Sequence, residues 1–211
     1  FSYGEHQPTY MVPMTDGRHL ITGSAKEAIV WDLATGRRIA AWKGHDHPIS
    51  AMALSPDGNW LLTGSEGGEI FLWDTRTQSL AHRFTPAPAA VGSIIYRPDK
   101  DEAIVGDNDG KLHRLDMVSQ TVIASHQALS APIDLLVCLK DGDTVLLGTT
   151  GTLIRWSIKD AQMGKHRGDD LHGKPFGATR RELDWGNFTG NRTNGFSAWN
   201  LDPVSSLPIH L

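Results

Sequence analysis

Two histidines one residue apart, His45 and His47 flanking Asp46, are the densest group of metal-ligating side chains in this 211-residue chain. Alternate residues of an extended segment project to the same side, so the pair has the geometry to share an ion. A zinc site needs a third and a fourth ligand, and the spacing places neither. The expected reading is a loop histidine bonded within its own structural unit, with no metal. Asp169 and Asp170 are adjacent carboxylates in a charged, glycine-rich stretch and read as solvated. No glycine-rich phosphate cradle stands between a strand and a helix, and no nucleophile and base have the spacing of a known catalytic set. No catalytic residue and no cofactor is therefore expected.

The remaining polar chemistry is equally muted. Lys165, His166, Arg167, Lys174, Arg180 and Arg181 gather basic charge, but Asp169, Asp170 and Glu182 are interspersed, which favours a solvated mixed-charge loop. Net charge is −4, from 20 basic and 24 acidic residues, against the clustered Lys and Arg that binding to phosphate backbones or anionic lipid requires. Cys138 is the only cysteine and follows Leu135, Leu136 and Val137, so it reads as a small core hydrophobe. Asn187 and Asn191 each begin a glycosylation pattern, read as coincidental without a secretory signal. No apolar run reaches the roughly 18 residues that a membrane-spanning helix needs. A cytoplasmic protein with protein partners, no nucleic acid and no membrane insertion is the expectation. The start at Phe1-Ser2-Tyr3 lacks both an initiator Met and a signal peptide, so either the terminus was processed or the chain is part of a longer one.

The elements that position these side chains announce themselves by period. Trp31-Asp32, Trp73-Asp74, Leu115-Asp116, Trp156-Ser157 and Trp199-Asn200 lie 42, 42, 41 and 43 residues apart. The turn aspartates Asp16, Asp57, Asp99 and Asp141 repeat independently at 41, 42 and 42. One unit shows what repeats. Ile49 to Leu54 alternates as a half-buried strand does, and Ser55-Pro56-Asp57-Gly58 is a turn in which Pro presets φ and Gly accepts φ > 0. Trp60 to Thr63 is the next strand, Glu66-Gly67-Gly68 the next turn, Ile70 to Asp74 the third strand, and Gln78 to Phe84 the fourth. Short strands with regular turns indicate antiparallel all-β architecture.

Gly44-His45, Ser55-Pro56-Asp57-Gly58 and the two Trp-Asp pairs resemble the WD40-repeat family, whose units of this length are blades of a β-propeller. The resemblance covers residues 1–157, read as blades 1–4. Residues 158–211 are read as a degenerate fifth blade with an irregular charged loop, its third strand at Gly195 to Asn200. The resemblance implies about five four-stranded antiparallel blades, or a section of a larger propeller. Phe1-Ser2-Tyr3 before Gly4-Glu5-His6 looks like the stub of a fourth strand. The family often braces each blade with a loop His, a strand Ser or Thr, a turn Asp and the Trp. Carried over, this gives His45, Ser65 and Trp73, with Gly67 in the Asp position. The third unit offers Asp109 but has Leu115 for the Trp. Trp31, Asp32, Asp74 and Trp156 complete the blade signature.

The function this implies is a non-catalytic scaffold or adaptor, whose loops around the blades receive protein partners. Expected contact positions precede each first strand or lie in the turn between second and third strands: His45, Asp46, His47, Glu66, Asp107, Asn108 and Thr150. Trp185 lies outside the repeat marker and suits a partner anchor or a plug over the last blade. A structural or sensor section of a larger multidomain protein or assembly is the alternative. A propeller enzyme would need a convergent cluster of His and carboxylates, which the sequence does not offer.

Overall fold

Apolar alternation interrupted every few residues by Asp-Gly and Gly-rich turns allows only short strands that fold back on their neighbours, and residues 10–157 do this wherever they are described. A computed structural model describes residues 10–84, 89–97, 100–149 and 152–158, with the short strands at 169–170 and 189–190. The first sheet is β1 (Tyr10–Pro13), β2 (His19–Ser24), β3 (Glu27–Asp32) and β4 (Arg38–Lys43). The second is β5 (Ile49–Leu54), β6 (Trp60–Ser65), β7 (Ile70–Asp74) and β8 (Ser79–Phe84). The third is β9 (Val91–Tyr96), β10 (Glu102–Asp107), β11 (Lys111–Asp116) and β12 (Thr121–Gln127). The fourth contains β13 (Leu135–Cys138), β14 (Thr144–Thr149) and β15 (Thr152–Ser157). To these it adds β16 (Asp169–Asp170) beside β15 and β17 (Thr189–Gly190) beside β13. Within each of the four blades, strands adjacent in sequence pair antiparallel in simple up-and-down order. Asp169 and Asp170, read as loop, thus pair in register with Arg155 and Ile154. Apart from Ile158, Thr189 and Gly190, the other residues assigned to a fifth blade, and Phe1 to His6, lie outside the described residues.

First strands stand side by side, β1 against β5, β5 against β9, β9 against β13. Each blade consequently faces the next, and three apolar layers fill the gaps. Ile21, Val30 and Trp42 meet Met52, Leu61 and Trp73 between the first two blades. Leu62 and Leu72 meet Ile94 and Val105 between the second and third. Ile104 and Leu112 meet Leu136, Val145 and Trp156 between the third and fourth. Cys138 lies in this last layer, where burial pushes its thiol up to about 11. It is a packing residue, not a reactive thiolate.

What sets blade spacing is a glycine near the end of the second strand in each of the first three blades. A Cβ on Gly106 would sit 2.5 Å from Ile133 Cγ2 at the foot of the next blade, and one on Gly64 would collide with Val91. Absence of a side chain lets the next first strand approach, the usual reason for Gly inside a strand. Turn chemistry is just as periodic. Asp16, Asp57 and Asp141 accept backbone N–H bonds from residues two ahead at 2.8, 3.1 and 3.0 Å, and Gly17, Gly58 and Gly142 follow with φ of 65, 73 and 67°. The aspartates after the Trp positions do the same for the next turn. Asp32, Asp74 and Asp116 accept from Thr35, Thr77 and Ser119 N–H at 2.8, 3.1 and 2.7 Å. A register shift recurs at Val30/Trp31, Leu72/Trp73 and Arg114/Leu115; bulges of this kind re-aim a side chain and raise local twist.

One polar contact bridges blades at the end opposite the Gly-His loop. Arg97, 1% exposed, donates through Nε to Gly142 O at 2.8 Å and through a terminal nitrogen to Asp143 Oδ1 at 2.7 Å. It also pairs with Glu102, which Arg114 holds from the other side at 2.9 Å. Lys100 Nζ reaches Asp143 at 3.1 Å. The third and fourth blades are thus tied by charge as well as by apolar packing.

Candidate interaction face

Loops preceding first strands and turns joining second to third strands share one end of the blades, because they hydrogen-bond to each other. Ile49 N–H donates to Ala25 O at 2.6 Å, Glu66 N–H to Pro48 O at 2.9 Å, Asn108 N–H to Ala90 O at 2.9 Å and Ile133 N–H to Asp107 O at 3.1 Å. The expected contact positions therefore do lie on one face, but not all point outward. Asp46, His47, Glu66 and Asn108 are exposed. His45 and Asp107 are 5% and 2% exposed, which corrects their reading as contact residues: each braces its own blade from within. Thr150 and Trp185 lie outside the described residues.

His45 is turned into the second blade, its ring stacked on Phe71 with centroids 4.0 Å apart. Nε2 lies 2.7 Å from Thr63 Oγ1, and Trp73 Nε1 donates to the same oxygen at 2.9 Å. Nδ1 lies 3.2 Å from Glu69 Oε2, and Ser65 Oγ donates to that carboxylate at 2.8 Å. The brace is thus Trp73–Thr63–His45–Glu69, which corrects the sequence reading twice. Thr63, not Ser65, bridges histidine and indole, and the carboxylate comes from Glu69 rather than from the Gly67 position. Ser65 instead steadies Glu69. Proton assignment follows: a carboxylate can only accept, so Nδ1 carries hydrogen, and in neutral His45 Nε2 accepts from the Thr63 hydroxyl. His47 is 57% exposed with Nδ1 3.8 Å from the same Glu69 oxygen. One histidine faces in and the other out, so the alternate-residue pair is split. Among the described residues no three His, Cys, Asp or Glu side chains converge on a metal-sized site.

Burial lowers the His45 pKa from 6.5, against the Glu69 hydrogen bond, which raises it. Burial raises the Glu69 carboxyl, but bonds from Ser65, Asp46 N–H and His45 outweigh it and leave the group below 4.5. Since the folded His45 pKa lies below the unfolded one, the unfolded chain binds more protons between the two. The contribution of neutral His45 is complete above pH 6.5 and is lost as pH falls through the folded value. Urea midpoints should accordingly drop as pH falls below about 6.5, with a shallower drop in His45→Gln. An equal slope in that variant assigns the dependence to another group.

In the first blade Trp31 Nε1 donates to Thr22 Oγ1 at 2.8 Å, the counterpart of Trp73 and Thr63. Trp156 is buried in the fourth. The third blade replaces the missing indole differently. Asp107 Oδ2 lies 2.9 Å from His113 Nε2, and His113 Nδ1 2.8 Å from Ser125 Oγ, a polar line across three strands. Asp109, expected as the brace carboxylate, is exposed and donates its backbone N–H to Asp107 Oδ1 at 3.0 Å. Asp32 and Asp74 serve as turn acceptors, with Arg18 and Arg76 paired to them at 3.1 and 3.4 Å.

The family model for the WD domain, G-beta repeat, matches residues 36–74. The chain is 25% identical over 145 residues to WD repeat-containing protein 55 of Arabidopsis thaliana, an alignment covering 67% of this chain and 41% of that protein. Residues 36–74 are thus a WD40 repeat. Small ribosomal subunit protein RACK1y of Oryza sativa subsp. japonica is 26% identical over 66% of this chain and 44% of its own length. Target of rapamycin complex subunit wat1 of Schizosaccharomyces pombe is 23% identical over 70% and 48% respectively. The chain spans less than half the length of these relatives. The solved structure of U3-55K shares the fold, with TM-score 0.66 at 17% identity, covering 75% of this chain and 51% of that one. The all-β, WD40-type propeller architecture is thereby confirmed, with four blades among the described residues.

Proposed function

We propose that this WD40 chain is a non-catalytic interaction module that receives protein partners on the face carrying Asp46, His47, Glu66 and Asn108. One observation carries the reading: buried polar braces fix the loops from within while these four side chains stay exposed on the same end. Fixed loops lose little conformational entropy on association, which is how a preorganised surface gains affinity. Two relatives are by name a subunit of a complex and a ribosomal protein, which supports assembly with other proteins. The buried polar side chains on this face, His45 and Asp107, are tied up in braces, and no catalytic role is assigned to the face. A net charge of −4 makes nucleic acid a poor partner. No helix among the described residues is long and apolar enough to cross a membrane, and a cytoplasmic setting fits this reading.

Replacing Asp46, His47, Glu66 and Asn108 together by Ala should reduce co-purified partners several-fold while leaving the thermal midpoint within a few degrees, since all four are exposed. Unchanged recovery would remove this face from consideration.

A further inference from the structure

Two blades contain a carboxylate–imidazole–hydroxyl line, and they differ in where the hydroxyl ends up. In the second blade the line is Glu69–His45–Thr63, and Thr63 is fully buried with its oxygen shared by the Trp73 indole. In the third blade, which has Leu115 at the indole position, the line runs Asp107–His113–Ser125 across β10, β11 and β12. Ser125 is exposed on β12, the outer strand at the edge of its sheet. Its hydroxyl has no partner other than His113 among the described residues.

The proton positions follow from the acceptors. Asp107 is buried, and its Oδ1 accepts the backbone N–H groups of Asp109 and Lys111 at 3.0 and 2.8 Å, which fixes the carboxylate. Oδ2 accepts from His113 Nε2 at 2.9 Å, so Nε2 carries the hydrogen. In neutral His113, Nδ1 is then a bare lone pair 2.8 Å from Ser125 Oγ, and the hydroxyl donates to it. A nucleophile within hydrogen-bond reach of a base that a third group orients is the arrangement that activates a serine. His113 itself is 2% exposed, so of the three groups it is the hydroxyl that meets solvent.

We propose that Ser125 is a covalent modification site, an activated hydroxyl that accepts an acyl group from an activated ester or thioester. Oγ attacks the carbonyl carbon while its proton passes to His113 Nδ1, and Asp107 stabilises the imidazolium. The bond from that carbon to the leaving oxygen or sulfur breaks. The leaving atom keeps the electron pair and departs with the proton from His113, so the products are an ester on Ser125 and a neutral imidazole. Ile123 on the same strand is 44% exposed, which suits an acyl chain better than a charged phosphoryl donor. The event is stoichiometric and takes place on an outer strand, not in the loops. It goes beyond the interaction-module reading and does not depend on it.

The test is reaction of the full chain with p-nitrophenyl acetate at neutral pH, with acetylated residues located by peptide mass mapping. Ser125 should be acetylated about a hundredfold faster than Ser79 and Ser119, the usual scale for a positioned general base. Those two are exposed hydroxyls bonded to Thr77 and Thr121 instead of a histidine. His113→Gln, shown by thermal melting to fold, should bring Ser125 down to their rate, and Ser125→Ala should remove that site alone. Asp107→Asn tests the positioning residue. Nitrogen NMR of the His113 ring should show Nε2 protonated and Nδ1 bare in the native chain, and the hydrogen shared between both nitrogens in the variant, with acetylation slowed at least about tenfold. Urea needs no variant: unfolding the native chain should erase the preference for Ser125. Equal acetylation of Ser125, Ser79 and Ser119 in the native chain overturns the proposal. So does a preference that survives in urea or in a folded His113→Gln. Should a variant fail to fold, the comparison of the three serines in native and unfolded chain decides.

Discussion

Arg97→Ala should lower unfolding stability by about 4 kcal/mol, the scale for removing one partner of a buried charge network. Urea unfolding should show an earlier midpoint at an unchanged slope. Two losses add. The aliphatic stem vacates a fully buried site between the third and fourth blades, and Gly142 O loses the Nε donor that satisfies it at 2.8 Å. Glu102 and Asp143 fare better, since Arg114 and Lys100 remain beside them, and both carboxylates are partly exposed. Arg97→Met separates the contributions. It keeps most of the stem volume but no donor, so a cost near that of the alanine variant assigns the effect to hydrogen bonding. A cost under about 1 kcal/mol assigns it to packing alone. Arg97→Lys should fall between, because one ammonium cannot span a carbonyl and two carboxylates. The acid limb carries the same signature. Burial raises the Glu102 carboxyl, but Arg114 and Arg97 outweigh it and hold the group below 4.5. Its contribution is therefore present above pH 4.5 and is lost as pH falls through the depressed value, less so once Arg97 is gone.

Nothing in the sequence points to Arg97, and the reason is physical. Its inter-blade acceptors lie 45 and 46 residues away, and inter-blade contacts have no local pattern. Features written within one turn or one strand are legible. Asp16-Gly17, Asp57-Gly58 and Asp141-Gly142 prescribe their turns through carboxylate acceptors and positive φ, and the Trp-Asp spacing follows from a blade's fixed complement of strands. Thr63 carries no such signal, because a hydroxyl inside a β-rich strand is ordinary until the indole and imidazole converge on it. Asp109 attracts the brace assignment because it stands in the turn. The last strand residue, Asp107, points inward instead, and that is where His113 needs a carboxylate. Gly23, Gly64 and Gly106 are visible as a period, yet their meaning depends on a neighbouring blade that only the fold supplies.

Thr63→Val is the sharper probe of what holds the interaction face, because it changes shape least. Valine fills the same volume, so no cavity opens, yet one hydroxyl serves two buried groups at once. Trp73 Nε1 loses its acceptor and His45 Nε2 its donor, and each buried orphan costs about 1–3 kcal/mol. A loss of about 3 kcal/mol is expected, with a blue-shifted Trp73 emission. Thr22→Val in the first blade supplies the internal comparison. Thr22 accepts from Trp31 alone among the described residues, so its cost should be about half. Trp73→Phe removes the shared donor, and a double-mutant cycle with Thr63→Val should return a coupling energy of at least about 1 kcal/mol. Additivity within about 0.5 kcal/mol would show the hydroxyl and indole acting independently. The distinction reaches the partner surface. His45 donates through Nδ1 to Glu69, and Glu69 in turn accepts from the Asp46 N–H at 3.1 Å. A brace that behaves as one coupled unit would therefore transmit the loss of a hydroxyl on β6 to the exposed loop at Asp46 and His47.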